Sequence, residues 1–212
     1  MPRPAGVRNH DFDQKRANLL DALTDFALTV ATQRPSLRQF PIAAGQSEPT
    51  LRHYFTDRQG LVIEVLENIR QRAIPIWAVA ATPASDPVAS VQEFMDFSQV
   101  GMKDRGYTQA HTFGFMEGLG DPVVGRAYLE KILDPALESI SDKFRDTPGG
   151  PAGPGELRAA ALLVMGPLFL LVAHQEMLGG DENAPLDMPK TQNYLKEWLS
   201  RSFVSTAKLD SV

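Results

Sequence analysis

The 212-residue chain has no cysteine. A disulfide framework, a thiolate metal site and a cysteine nucleophile are therefore excluded. Long apolar runs are also missing. The longest, residues 159–173, is interrupted by Gly166-Pro167 and is too short to span a bilayer. No segment alternates with a period of two for long enough to make a strand. The four histidines have no metal-ligand spacing; His174-Gln175-Glu176 is not HExxH, because no second histidine stands four residues on. There is no G-x-S-x-G elbow, phosphate loop or dinucleotide fingerprint. Carboxylate pairs such as Glu64 and Glu67 read as a solvated helix face. These absences point away from an enzyme, and no catalytic residue, metal or cofactor is expected. The opening residues MPRPAGVRNHDFDQKR have no apolar core and do not read as a signal peptide. With 43% apolar and 22% charged residues, the composition is that of a soluble globular protein, and the expected location is cytoplasmic.

Net basic charge is lacking too, at −5 overall, but the deficit is unevenly placed. Residues 1–58 hold eight Lys and Arg against six Asp and Glu. Residues 59–212 hold thirteen against twenty. The asymmetry suggests a phosphate-facing end and an acidic, soluble remainder.

Within the basic end, residues 37–55, LRQFPIAAGQSEPTLRHYF, read as helix, tight turn, helix. The first helix ends at Ala43-Ala44, and Gly45 supplies the positive φ of a C-cap. Ser47 then stands as N-cap, with Pro49 tolerated in the first turn. Leu51 and Phe55 are the buried positions of the second helix, and its polar residues share one exposed face. This is the outline of a helix-turn-helix, whose second helix enters the DNA major groove.

The span resembles the DNA-binding motif of the TetR family of transcriptional regulators. The residues behind the likeness are Ala44-Gly45, Ser47, Thr50-Leu51, His53-Tyr54-Phe55, Arg58 and Leu61. It extends back to Lys15-Arg16 and the helical repeat Leu19, Leu20, Ala22, Leu23, Phe26, Ala27, and so covers about residues 15–68. The sequence departs from the family pattern at Val30, Pro41, Glu48-Pro49 and Arg52. Pro41 predicts a short or distorted first motif helix. The candidate DNA-binding residues are Ser47, Thr50, Arg52, His53, Tyr54 and Arg58. Arg52 suits guanine or phosphate, and His53, Tyr54 and Arg58 suit phosphate.

The rest of the chain reads as helices: 58–81 with a kink or restart at Pro75, then 87–105, 107–118, 121–145, 156–178 and 189–205. A linker of turn residues covers 147–155. Helix one is expected over 12–32, after an arm or disordered tail at 1–10 carrying Arg3 and Arg8. The fold class is all-α, with three parts: a helix-turn-helix head (1–58), a connecting helix (59–75) and a helical ligand-binding and dimerisation domain (76–212). Phe94, Phe97, His111, Phe115, Met165, Phe169 and His174 supply apolar walls and a few polar points for a ligand site, although core residues look the same. The helix 156–178 is apolar nearly all round and must be covered on all sides. The resemblance implies that it pairs, with the last helix, against a second copy; Trp198 and Leu199 are expected in that interface. The reading is a homodimeric regulator that binds a double-stranded DNA operator and is released by a small apolar effector, with no membrane partner. The alternative is a small-molecule-binding helical dimer whose DNA reading is weakened or lost.

Overall fold

The structure, a computed structural model, describes residues 5–103, 106–151 and 153–206. Among the described residues there is no strand. The elements are α1 (Ala5–Thr29), α2 (Gln39–Ala43), α3 (Glu48–Phe55), α4 (Arg58–Ala80), α5 (Pro87–Lys103), α6 (Gly106–Gly120), α7 (Pro122–Tyr128), α8 (Asp134–Asp146), α9 (Pro154–Val172), α10 (Gly180–Asn183) and α11 (Met188–Thr206). Turns of π-helix follow α7 at Leu129–Leu133 and α9 at Ala173–Met177. The all-α class agrees with the sequence reading.

The chain forms two compact units, Met1–Arg72 with Gln109–Ile132, and Ala73–Thr108 with Leu133–Val212. In the first unit, Leu19, Leu23 and Ala27 recur every four residues along α1 and are buried. Phe40, Leu51 and Phe55 complete the head, and α4 buries Leu61, Val62, Val65, Leu66 and Ile69 at helical spacing. Polar ties fix α4 to α1: Arg72 pairs with Asp21 at 2.9 Å and Asp25 at 2.5 Å, and Asn68 donates to Asp21 and Thr24 at 2.9 Å each. The unit also takes in residues 109–132, which the sequence reading had grouped with the C-terminal part. Lys131 pairs with Glu67 at 2.6 Å and holds its carboxyl down at about 2, while Gln59 donates to Asp121 at 2.8 Å.

In the second unit, α5, α8, α9 and α11 surround Val91, Phe94, Met95, Leu137, Ile140, Phe144, Leu157, Ala161, Val164 and Leu199. A smaller cluster joins Trp77 to Ala73 and Ala136. The Lys143 ammonium, buried near the start of α5, donates to the Thr82 carbonyl and to Glu93 at 2.7 Å each. A buried ammonium needs such partners.

Several expectations change. Helix one begins at Ala5, so residues 5–10, Arg8 among them, are helical rather than part of a tail; Arg3 lies outside the described residues. Pro75 neither ends nor restarts α4. Gln71, whose carbonyl the proline frees, is exposed, so water can satisfy that group. Helix α6 runs over Gly106–Gly120, slightly beyond both ends of the expected 107–118. Gly166-Pro167 does not break α9, in keeping with the single helix expected over 156–178. With its π-turn, the helix spans Pro154–Met177, 24 residues, long and apolar enough by length and composition to cross a bilayer, contrary to the length argument from the uninterrupted run. One face of it packs in the core described above. Leu199 is 2% exposed inside the core of its own unit, so it cannot face a second copy, whereas Trp198 is 62% exposed.

Candidate nucleic-acid interface

Helix α2 has five residues, the short helix that Pro41 predicts. Phe40 and Pro41 are buried, and the Phe40 ring meets Phe26 edge-on at 5.6 Å. Gly45 turns the chain with φ +62°, a conformation that a Cβ resists. Ser47 is extended, and its Oγ accepts from the Thr50 amide at 3.3 Å and lies 2.8 Å from Thr50 Oγ1. Such a cap contributes about 1 kcal/mol. Leu51 and Phe55 are buried, which turns Arg52 and His53 to solvent. Thr50 and Tyr54 are half-buried on the other flank.

Arg52 does not project alone. Its Nε and Nη2 both donate to Glu48 Oε1, at 3.1 and 2.8 Å. His53 and Tyr54 carry an aromatic neighbour from α1: Phe12 lies 4.9 Å from the Tyr54 ring and meets His53 edge-on at 5.8 Å. Arg16 sits over the Phe55 ring at 5.2 Å and pairs with Glu64 at 2.9 Å.

The exit from α3 is strained. Thr56 has φ +68° and ψ −65°, and the Asp57 amide donates back to the Phe55 carbonyl at 2.8 Å, closing a γ-turn. A threonine there costs on the order of 1–3 kcal/mol. Asp57 then starts α4 by accepting from the Gly60 amide at 2.8 Å.

Arg58, a candidate phosphate contact, is committed inward. Its Nη2 donates to Glu117 Oε1 at 2.6 Å and its Nε to the Pro35 carbonyl at 2.9 Å. Glu117, on α6, is 0% exposed. Arg34 approaches its other oxygen at 3.6 Å from a left-handed backbone, φ +48°. Gly120 makes room for this, since a Cβ there would overlap the Arg34 guanidinium.

The seven candidate ligand residues divide between the units. In the first, His111 is buried with Nδ1 3.0 Å from the Tyr128 hydroxyl, and Phe115 is half-buried. In the second, Phe94 belongs to the core, Met165 packs on its edge, and Phe97, Phe169 and His174 are half-buried. His174 Nδ1 lies 2.7 Å from Gln175 Nε2, and Gln175 also accepts from the Leu186 amide at 3.0 Å.

Burial lowers the His111 imidazole from 6.5 to about 4. Between those values the unfolded chain holds a proton that the folded chain excludes, so stability falls as pH drops through the window and is complete above 6.5. The full effect is roughly 3 kcal/mol. Urea unfolding at pH 4.5 and 7 is expected to show this slope, and His111→Gln to flatten it while keeping a partner for Tyr128. An unchanged slope in the variant would assign the pH dependence to other groups.

Two residues that shape the candidate interface were readable only in part. Glu117 stands alone in the run TFGFMEGLG, and a single carboxylate among apolar residues signals a buried pair. Glu48 lies four residues before Arg52, the spacing of a helical ion pair. Phe12 carries no comparable signal.

No protein-family model matches the sequence. No curated protein matches it. Among solved structures, a provisionally assigned TetR-family transcriptional regulator from Mesorhizobium loti has the same fold: TM-score 0.69, 19% identity, 92% of this chain and 96% of that one. At that identity the likeness establishes the fold.

Proposed function

We propose that this chain, which has the fold of the TetR-family regulators, is a homodimeric transcriptional regulator that binds a double-stranded DNA operator. The observation that carries the reading is α3: Ser47 caps it, Leu51 and Phe55 anchor it, and Arg52, His53, Thr50 and Tyr54 line its outer side. Arg58 acts in this reading through Glu117 rather than on phosphate. The regulator is a cytoplasmic repressor, released by a small apolar effector. The effector site draws on the half-buried candidates of the second unit, Phe97, Met165, Phe169 and His174. A coupling of roughly 1–3 kcal/mol between effector and operator changes DNA affinity about 5- to 150-fold. A thermal-shift screen of hydrophobic metabolites tests the effector half: a binder raises the midpoint with its concentration.

The DNA half is tested by titrating fluorescent duplexes from the region upstream of the gene. Affinity is expected to fall steeply with salt, because phosphate contacts release counterions. Arg52→Ala is expected to cost about 1–3 kcal/mol, and Tyr54→Phe to weaken binding with little change in thermal midpoint. Wild-type affinity in both variants would remove α3 from the interface. A flat salt response would count against DNA as the partner.

One observation favours the second reading, a ligand-binding dimer with weakened DNA reading. The charges of Arg52 and Arg58 are both matched within the protein, by Glu48 and Glu117. Tight effector binding without DNA binding at low salt would select it.

A further inference from the structure

Arg52 is the exposed cation of α3, yet it is paired within its own helix. Its Nε and one Nη2 proton go to the same oxygen, Glu48 Oε1. The guanidinium has five N–H donors in a fixed plane. The edge formed by Nε and Nη2 is occupied, which leaves the end-on edge, Nη1 with the second Nη2 proton. Two parallel donors of that kind match the O6 and N7 acceptors of guanine in the major groove. The Arg52 side chain is 54% exposed, and that of Glu48 32%.

We propose that Glu48 and Arg52 act as one unit that reads a G·C pair. Arg52 is the reading residue, and Glu48 is a positioning residue that fixes the guanidinium. The inference rests on the DNA-binding function proposed above. Two physical effects follow from the pair. Glu48 holds a long side chain in one geometry, so less rotamer entropy is lost when the base is bound. Its carboxylate also cancels the charge of Arg52 and repels phosphate oxygens. An unpaired Arg52 swings readily to the backbone, where it adds affinity without sequence information. The pair thus exchanges non-specific attraction for discrimination. As an exposed i,i+4 ion pair it stabilises the helix only slightly, so the variants below keep the fold.

The test is selection of bound duplexes from a random-sequence pool, followed by salt titration on the selected site and on random DNA. Wild type is expected to select a site with an invariant G·C pair in each half. Glu48→Gln is expected to lose about tenfold or more of the discrimination at that pair, to bind random DNA more tightly, and to steepen its salt dependence. Arg52→Lys is expected to lose the same discrimination with an unchanged salt slope on random DNA, because the charge remains and the two-pronged edge does not. A purely structural role for Glu48 moves the thermal midpoint and leaves the base preference alone. If wild type selects a sequence and both variants keep its G·C preference, the pair does not read it, and DNA binding stands. If Glu48→Gln gains affinity for the selected site and keeps its preference, Glu48 only inhibits. If wild type enriches no sequence, the DNA-binding function falls, and this inference falls with it.

Discussion

Glu117→Ala is expected to destabilise the fold by about 3 kcal/mol, the low end of the range for breaking a buried ion pair. The carboxylate is 0% exposed, and its main partner, Arg58, has a side chain 27% exposed. Removing Glu117 leaves a guanidinium that faces a void on one side and is only partly hydrated on the other. That partial hydration is why the low end applies. Arg34, at 3.6 Å and with a side chain 39% exposed, contributes little of the effect. Glu117→Gln keeps the shape and an acceptor for Arg58 and is expected to lose about half as much, since hydrogen bonds to charged groups contribute about 1.5–3 kcal/mol. Urea unfolding with an unchanged m-value reads both. A loss below about 1 kcal/mol for the alanine variant would show that Arg58 is held by the Pro35 carbonyl alone. The functional consequence is a second readout. Arg58 opens α4 directly after the strained turn at Thr56, which ends α3. In the proposed regulator, Glu117 therefore fixes the angle at which α3 is presented, and DNA affinity falls in Glu117→Ala even where the protein is fully folded.

The head was legible because its signals are local. Gly45, Ser47 and Pro49 each state a backbone conformation or a cap within four residues, and the structure places a left-handed turn, a cap and a first-turn proline there. The apolar period of α4 was legible for the same reason. What escaped the sequence is what depends on distant partners. Residues 109–132 join the first unit because Glu117, Asp121 and Lys131 meet Arg58, Gln59 and Glu67, which lie about sixty positions earlier. A breaker misled where water compensates: Pro75 sits inside a continuous helix, whereas the helix read straight through Pro167 is continuous as expected. The ligand residues were the least legible. Aromatic and methionine side chains serve cores and pockets equally, and Phe94 proves to be core while His111 is buried against Tyr128.

Leu163→Glu with Leu170→Glu is expected to convert the proposed dimer into monomers, with a loss of several kcal/mol in association. Helix α9 has two faces. Leu157, Ala161, Val164 and Leu168 pack in the core of the second unit. Leu163 and Leu170 are 59% and 67% exposed, and with the exposed Ala159 and Gly166 they make a stripe at helical spacing. A run of apolar and small residues of this kind lets another helix approach closely. A two-fold interface meets each substitution twice, so the double variant buries four carboxylates per dimer. The opposite face is untouched, and helical content at low concentration is expected to stay at the wild-type level. Leu199→Glu is the contrast: Leu199 is in the core, so that variant loses the fold and not just the partner. Light scattering measures the mass, and a DNA titration measures the consequence. If two heads bind two half-sites together, monomers lose the gain from joint binding, on the order of 10²–10⁴-fold. A dimer mass unchanged in Leu163→Glu with Leu170→Glu would move the interface off α9 and leave its exposed stripe to some other cover.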